Sequence, residues 1–183
     1  MLRDKFPATE TISDENFTFR LMTPADRQAI IDFAKRLTEP DLLFMRRDIT
    51  QEDAVDDWIR DIERQRAITI LIETGSTIIG YGTLYYNQLF WNRHLGELRA
   101  MISAPYRNRG IGAVLARNLL TFAHELQLEK VITYMAIENK GARTLVEELG
   151  FQAEAILADW IKTRDERTHD LLIMGMSLME PYS

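Results

Sequence analysis

The stretch formed by residues 106–112, YRNRGIG, combines two glycines, two arginines and an asparagine in seven residues. An apolar run precedes it and a helical spacing of apolar residues follows it, so it is predicted to connect a strand to a helix. Glycines let the backbone approach a ligand closely, and the first N–H groups of a helix attract anions. The pattern therefore predicts an anion-binding turn, with counter-charge supplied nearby by Arg107, Arg109, Arg117, Lys140 and Arg143.

Three other interpretations of this turn fit the residues less well. A nucleotide-binding P-loop requires a lysine after the second glycine, and none follows Gly112. A dinucleotide-binding turn requires a third glycine where Leu115 stands, early in a strand-helix-strand unit. A simple connection that needs only a permissive backbone remains open, although two glycines flanked by arginines exceed that need.

The composition narrows the classes of function. A chain of 183 residues is long enough for one domain with a full core, and its net charge of −6 disfavours general binding of nucleic acid or anionic membranes. The absence of cysteine excludes thiol chemistry and disulfides, and His94, His124 and His169 are too scattered for a metal motif. No stretch approaches the ~18 apolar residues of a membrane helix. With a polar N-terminus unlike a signal peptide, we expect a cytoplasmic protein.

The elements around the turn predict an α+β fold. Residues 1–16 are expected to form a loose polar tail, and residues 17–183 a single domain. Two helices are predicted after the first strand. Thr23 is the expected N-cap of the first, and Thr50, followed by Asp53 three residues later, is the expected N-cap of the second. Asn139 is predicted to cap a later helix that Gly150 ends. The order β-α-α-β-β-β-α-β-α-β-β indicates one mixed, mostly antiparallel sheet of about seven strands flanked by helices.

In this setting the turn resembles the motif [RQ]-x-x-G-x-[GA] of the GNAT superfamily of acetyl-CoA-dependent N-acetyltransferases. The motif stands here as Arg107-Asn108-Arg109-Gly110-Ile111-Gly112. A second block resembles the family pattern N-x-x-A-x-x-L-Y-x-x-x-G-F, and it reads here as Asn139, Ala142, Leu145, Val146 in place of tyrosine, and Gly150-Phe151. The resemblance covers residues 17–178.

The resemblance implies a GNAT-like domain that uses acetyl-CoA as acyl donor and needs no metal. The turn would hold the pyrophosphate of coenzyme A, and the preceding strand would pair its backbone with the pantetheine arm. The cofactor-binding residues implied are Ala100, Met101, Ile102, Arg107, Asn108, Arg109, Gly110, Ile111, Gly112, Ala113, Asn139 and Arg143.

Acetyl transfer to an amine requires a base for the ammonium proton and hydrogen-bond donors for the thioester oxygen. We predict Glu97 as the base, acting directly or through water, because Pat-type protein lysine acetyltransferases of this superfamily carry a glutamate on this strand. The alternative is a structural ion pair with Arg99, two residues along the same strand face. Backbone N–H groups near Met101 and Ile102 are the expected donors to the oxygen.

The proton donor to the departing thiolate is less evident. Family members often use a tyrosine where Val146 stands, and valine cannot donate a proton. Tyr134 is our candidate, with Tyr85 and Tyr86 as alternatives. A thiol has a pKa near ~8.5, so the thiolate could also leave without enzymic protonation. His169 is expected near the acceptor.

The acceptor is inferred from the second helix and the segment before it. The helix is dense in acidic residues, which would attract a cationic acceptor; the alternative is a solvated face with an Asp56–Arg60 pair. Residues 36–50 resemble the same segment of Pat-type enzymes, which favours a protein lysine as acceptor. A small-molecule amine is the alternative, and a CoA-binding module without catalysis is a third. A homodimer is compatible with the resemblance, and no nucleic-acid or membrane partner is expected.

Overall fold

The centre of the molecule is an eight-stranded sheet with the order β1-β2-β3-β4-β5-β6-β8-β7. The computed structural model describes residues 2–43 and 45–179. All neighbouring strands are antiparallel except the parallel pair β5 and β6. The strands are β1 (Ala8–Ile12), β2 (Glu15–Leu21), β3 (Ala67–Thr74), β4 (Thr77–Tyr86), β5 (Leu95–Ile102), β6 (Lys130–Ala136), β7 (Gln152–Lys162) and β8 (Thr168–Ser177).

Helices cover both faces of this sheet. They are α1 (Arg27–Lys35), α2 (Glu39–Leu42), α3 (Glu52–Glu63), α4 (Ile111–Glu125) and α5 (Lys140–Glu148). Alternate residues of β4 divide between two apolar layers: Leu84 packs in the layer of α4, whereas Tyr81 and Tyr85 pack in the layer of α1 and α3. The predicted α+β fold with a mixed, mostly antiparallel sheet is confirmed, with eight strands instead of about seven.

The additional strand lies in the segment expected to be a loose tail, and that expectation is corrected. Residues 8–12 form β1, which pairs with β2 from Ala8↔Phe19 to Ile12↔Glu15. Phe6 stacks on Phe122 of α4, with ring centroids 5.7 Å apart. The side chains of β1 are mostly exposed, so this edge strand lacks the apolar alternation by which strands are predicted. Residue 1 of that segment, Phe44 and residues 180–183 lie outside the described residues.

The predicted helix ends are confirmed in part. Asn139 caps α5 by accepting a hydrogen bond from the Ala142 N–H at 3.2 Å, and Gly150 follows the helix with φ +100°. The cap predicted at Thr50 is corrected, because α3 begins at Glu52 and its N-cap residue is Gln51. The Thr50 hydroxyl instead donates to Asp48.

Asp26 fixes the entry into α1. Its carboxylate accepts hydrogen bonds from the Thr23 N–H at 2.8 Å and from the Arg20 guanidinium at 2.7 and 3.0 Å. Burial raises the pKa of Asp26, but the hydrogen bonds from Arg20 and Thr23 outweigh burial, so the pKa lies below its ordinary value. The ionised carboxylate therefore stabilises the folded state.

We expect Asp26→Asn to lower the free energy of unfolding at pH 7 by about 1–3 kcal/mol, because it removes a charged acceptor from Arg20 and Thr23. Since the pKa of Asp26 is lower in the folded state, its contribution is complete above the unfolded-state pKa of ~3.9 and disappears as pH falls through the folded-state value. Urea unfolding at pH 7 and pH 3 should show the difference shrinking at pH 3. Asp32→Asn, at an exposed site of α1, is the control; an equal effect of Asp26→Asn at both pH values would contradict the assignment.

Candidate active site

A groove opens in the sheet where β5 and β6 separate. These strands are paired only at Leu95↔Lys130, Gly96↔Val131 and Glu97↔Ile132. Beyond Glu97, β5 continues to Ile102 beside β4, and β6 continues to Ala136 beside β8. Their facing edges are no longer paired with each other in the described structure, so backbone N–H and C=O groups there are available to a ligand. The groove between them has a volume of about 600 Å³.

The predicted pantetheine strand forms one wall of this groove. Ala100, Met101 and Ile102 of β5 all line it, and Tyr134 of β6 lines the opposite wall. The Ile102 carbonyl accepts a hydrogen bond from Arg107 Nε at 2.8 Å. The three residues predicted from the sequence therefore line the groove, and pairing of this strand edge with a bound arm stays a prediction.

The glycine turn closes one end of the groove. Gly110 is the N-cap residue of α4 and has φ +87°, a conformation that L-residues rarely adopt. The N–H groups of Ile111 and Gly112 lie in the first helical turn, where no preceding helical carbonyl can accept them. A Cβ atom at Gly112 would approach Leu145 Cδ2 to 3.0 Å and Ile102 Cδ1 to 3.5 Å. The lack of a side chain at Gly112 therefore lets Leu145 and Ile102 pack against its backbone, and the first N–H groups of α4 are of the kind that bind anions.

The other residues of this motif lie at different depths. Asn108, with φ +59°, and Ala113 both line the groove. The side chain of Ile111 is 1% exposed and packs in the α4 layer, so its side chain is not available to a ligand. Asn139 also lines the groove while its Oδ1 atom caps α5.

Of the predicted cations, Arg107 lines the groove, whereas Arg109 and Arg143 pair with other carboxylates. Arg107 lines the groove and forms an ion pair with the buried Asp41 carboxylate. Arg109 instead pairs with Glu15 of β2 at 2.7 Å. Arg143 pairs with Glu147 one turn along α5 at 2.8 Å. Contact of Arg109 and Arg143 with a cofactor stays a prediction.

Glu97 lies at the point where the two strands part. Its Oε1 atom accepts hydrogen bonds from Arg99 Nε at 2.5 Å and from Arg46 Nη1. The ion pair with Arg99, the structural alternative from the sequence, is therefore present. Arg46 and Arg99 line the groove and Glu97 lies behind them, with its side chain 19% exposed.

Aromatic rings support both arginines. The guanidinium carbon of Arg46 lies 4.6 Å from the ring centroid of Tyr134, and that of Arg99 lies 4.2 Å from the centroid of Tyr85. Burial and the charge of Arg99 lower the pKa of Arg46, although Glu97 acts in the opposite direction. Burial also tends to lower the pKa of Arg99, but the hydrogen bond and charge of Glu97 raise it overall.

A family model described as an acetyltransferase (GNAT) domain matches residues 16–152. The chain belongs to this family. Its fold and enzyme class, as predicted from the turn and the Asn139 block, are confirmed by this match; membership of the Pat-type subgroup stays a prediction.

Similar proteins cover most of this GNAT chain. The Bacillus subtilis (strain 168) protein named "Putative ribosomal N-acetyltransferase YdaF" is 28% identical over 174 residues, which are 89% of this chain and 92% of that protein. The structure of Salmonella typhimurium yncA with its cofactor acetyl-CoA has a TM-score of 0.77 at 19% identity, covering 92% and 98% of the two chains. Vibrio cholerae spermidine N-acetyltransferase, in complex with CoA and spermine, has a TM-score of 0.72 at 20% identity, covering 88% and 95%.

Several acidic side chains of α3 form ion pairs within the protein. Asp56 pairs with Arg27 at 2.6 Å, which corrects the predicted Asp56–Arg60 pair; Arg60 pairs with Asp57 instead. Asp61 pairs with Arg47 at 3.0 Å. Much of the negative charge expected to attract a cationic acceptor is therefore compensated within the protein.

Several groove residues were not identified from the sequence. Arg46 lies 51 positions from Glu97, and only the resemblance of residues 36–50 to one subgroup drew attention to its segment. Glu138 also lines the groove, and its hydrogen bond with His169 Nδ1 at 3.0 Å lowers the pKa of Glu138. This places His169 beside a groove residue, and its position near the acceptor stays a prediction. Val146 is buried in the α4 layer.

The described residues contain neither a candidate metal site nor a helix that could span a membrane. Within residues 2–43 and 45–179, no group of three or more His, Asp or Glu side chains could hold a metal ion. No helix in that part of the chain has the length and apolar character needed to cross a membrane.

Proposed function

We propose that the protein transfers an acetyl group from acetyl-CoA to a primary amine, which attacks the thioester directly. The observation that carries this proposal is the groove between β5 and β6, which runs from the glycine turn at Gly110 and Gly112 to the arginines over Glu97. When bound, acetyl-CoA supplies an activated acetyl thioester. The turn would hold its phosphates with backbone N–H groups, and the free edge of Ala100–Ile102 would orient its arm.

Glu97 is proposed as the general base. An ammonium group has no lone pair, so its proton must leave before nitrogen forms a bond to the acetyl carbon. Glu97 would accept this proton directly or through water. Its position at the last β5–β6 pair supports this role, because both strand edges lead to it.

The thioester oxygen and the leaving sulfur need their own donors. We propose that backbone N–H groups near Met101 and Ile102 donate to the oxygen as it gains charge. As the carbon–sulfur bond breaks, the thiolate takes a proton from Tyr134 or from water. Tyr134 lines the groove, which supports it as the donor; Val146 also lines the groove but has no proton to donate.

We propose a small-molecule amine as the acceptor. A protein lysine was the leading prediction because residues 36–50 resemble Pat-type enzymes, whereas the ion pairs along α3 weaken the separate argument for a cationic acceptor of any kind. A small-molecule amine is favoured by one contact: Arg164, in the β7–β8 connection, pairs with Asp48 at 2.6 Å. Asp48 follows Arg46 and Arg47, which both line the groove, so this contact restricts access beside them. We therefore favour a small amine over a polypeptide.

A thiol-release assay with acetyl-CoA tests the function. The amines are spermidine, a lysine peptide, a peptide with a free N-terminal alanine, and free amino acids. We expect at least one amine to raise thiol release above the rate of hydrolysis without amine, with the acetylated product seen by mass spectrometry. Acetyl-CoA binding in calorimetry without turnover of any amine would contradict the proposal and indicate the CoA-binding module without catalysis.

A further inference from the structure

Tyr85 lies directly opposite Glu97 in the antiparallel pair of β4 and β5. Residues opposite each other in such a pair project from the same face of the sheet, and Arg99, two residues beyond Glu97, shares that face. The guanidinium carbon of Arg99 lies 4.2 Å from the centroid of the Tyr85 ring, while Arg99 Nε donates to Glu97 Oε1 at 2.5 Å. One arginine thus connects the tyrosine ring to the proposed base.

A second arginine also lies over the Tyr85 ring. The guanidinium carbon of Arg47 is 5.8 Å from the ring centroid, and Arg47 is anchored to α3 by Asp61 at 3.0 Å and by the Ala54 carbonyl at 3.3 Å. Burial raises the pKa of Tyr85, so its ring stays neutral at pH 7 and offers its face to a cation. The ring therefore has a defined position from which it can restrain Arg99.

The orientation of the Glu97 carboxylate depends on its two arginine partners. Arg46 and Arg99 both donate to Oε1, so these contacts restrain the carboxylate without occupying its other oxygen, Oε2. Of the two arginine side chains, that of Arg99 is the less exposed, at 25% against 45% for Arg46. A general base must lie within hydrogen-bond reach of the proton it removes, so a carboxylate that turns away loses rate even if its basicity is kept.

We infer that Tyr85 is a positioning residue for acetyl transfer, whose ring holds Arg99 against Glu97 and so keeps the carboxylate in place for the acceptor amine. This inference rests on the proposed function and adds a residue to it. The ring carries the role, because the ring is the part of Tyr85 that contacts the arginines. From the sequence, Tyr85 was an alternative proton donor to the thiolate, a role that would depend on its hydroxyl instead.

Tyr85→Leu and Tyr85→Phe separate the ring from the hydroxyl in the thiol-release assay with the best amine of the panel. We expect Tyr85→Leu to lower kcat by about tenfold, the scale of a cation–π contact away from water, with acetyl-CoA affinity by calorimetry unchanged. Tyr85→Phe keeps the ring and should retain a kcat near the wild-type value. Tyr86→Leu is the matched control, because Tyr86 is the next residue of β4 but packs in the α4 layer on the opposite face. Tyr85→Met replaces Tyr85→Leu if the leucine variant does not fold.

A double-mutant cycle tests whether Tyr85 acts through Arg99. In an Arg99→Gln background, Tyr85→Leu should change kcat by less than about twofold, because the contact that it removes is already lost. The same tenfold effect in both backgrounds would mean that Tyr85 acts independently of Arg99, and it would overturn the inference. A tenfold fall of kcat in Tyr85→Phe would also overturn it, since the hydroxyl would then be the group that matters.

The remaining outcomes separate this inference from the function beneath it. A fall of kcat in Tyr85→Leu that is absent from Tyr85→Phe and Tyr86→Leu, and that disappears in the Arg99→Gln background, supports the inference. Wild-type kcat in Tyr85→Leu, or an equal fall in Tyr86→Leu, overturns the inference, and the proposed function stands as long as Glu97→Gln loses turnover. Absence of thiol release by the wild-type protein with every amine overturns both.

Discussion

Glu97→Gln is expected to lower kcat by about 10²–10⁴-fold, the usual effect of losing a general base. Glutamine keeps the shape and retains an oxygen that can accept the hydrogen bonds of Arg46 and Arg99, but it cannot take up a proton from the amine. The measurement is kcat for thiol release as a function of pH, with the best amine of the panel. Acetyl-CoA affinity by calorimetry should stay at the wild-type value, because Glu97 lies behind the groove wall.

Glu138→Gln is the matched control for this variant. It makes the same replacement at a carboxylate that does line the groove but is hydrogen-bonded to His169 instead of the arginine pair. Its kcat should fall far less than that of Glu97→Gln. Near wild-type turnover of Glu97→Gln across the pH range would show that Glu97 only anchors the two arginines, and another base would then be required.

Gly110→Asp is expected to weaken acetyl-CoA binding by about a hundredfold more than Gly110→Asn, because a carboxylate beside the phosphates adds like-charge repulsion. The two side chains have nearly the same shape, and both are among the L-residues that best tolerate a left-handed backbone. A Cβ atom at Gly110 meets its nearest neighbour, Ile12 Cγ2, only at 4.0 Å. Steric effects should therefore be small and similar in both variants.

The pair of variants also separates binding from folding. Gly110 has φ +87°, so each replacement carries a backbone cost of about 1 kcal/mol, and the two melting temperatures should be lower than wild type by similar amounts. Affinity is measured by titration calorimetry with acetyl-CoA. Equal affinities of the aspartate and asparagine variants would show that the phosphates bind elsewhere, and the turn would then be the plain connection that the sequence left open.

Local sequence signals were sufficient to predict the glycine turn and both ends of α5, although not the start of α3. The glycines of the turn, the Asn139 cap and Gly150 after α5 follow from backbone conformation and hydrogen bonds within a few residues. The order of strands and helices follows from apolar periodicity. The N-terminal strand was missed because its exposed side chains carry no such periodicity, and only pairing with β2 defines it.

Contacts between distant segments required the tertiary structure. Arg109 was grouped with the turn because of its sequence position, yet it pairs with Glu15 of β2, 94 positions away. An arginine side chain is long, and which acid it meets depends on how separate elements are placed. The acidic residues of α3 show the same effect, since Arg27 and Arg47 reach them from other segments.

The sequence by itself determined the turn, the family pattern and the strand that carries Glu97, because these depend on residues close together in the chain. Only the tertiary structure decided that β5 and β6 separate after Glu97↔Ile132, and that Arg46 reaches that glutamate from 51 positions away. The separation results from strand pairing across the whole sheet, and the Arg46 contact from the path of the segment between α2 and α3. The strand separation and the Arg46–Glu97 contact do not depend on residues that are neighbours in the chain, so no local sequence pattern predicts them.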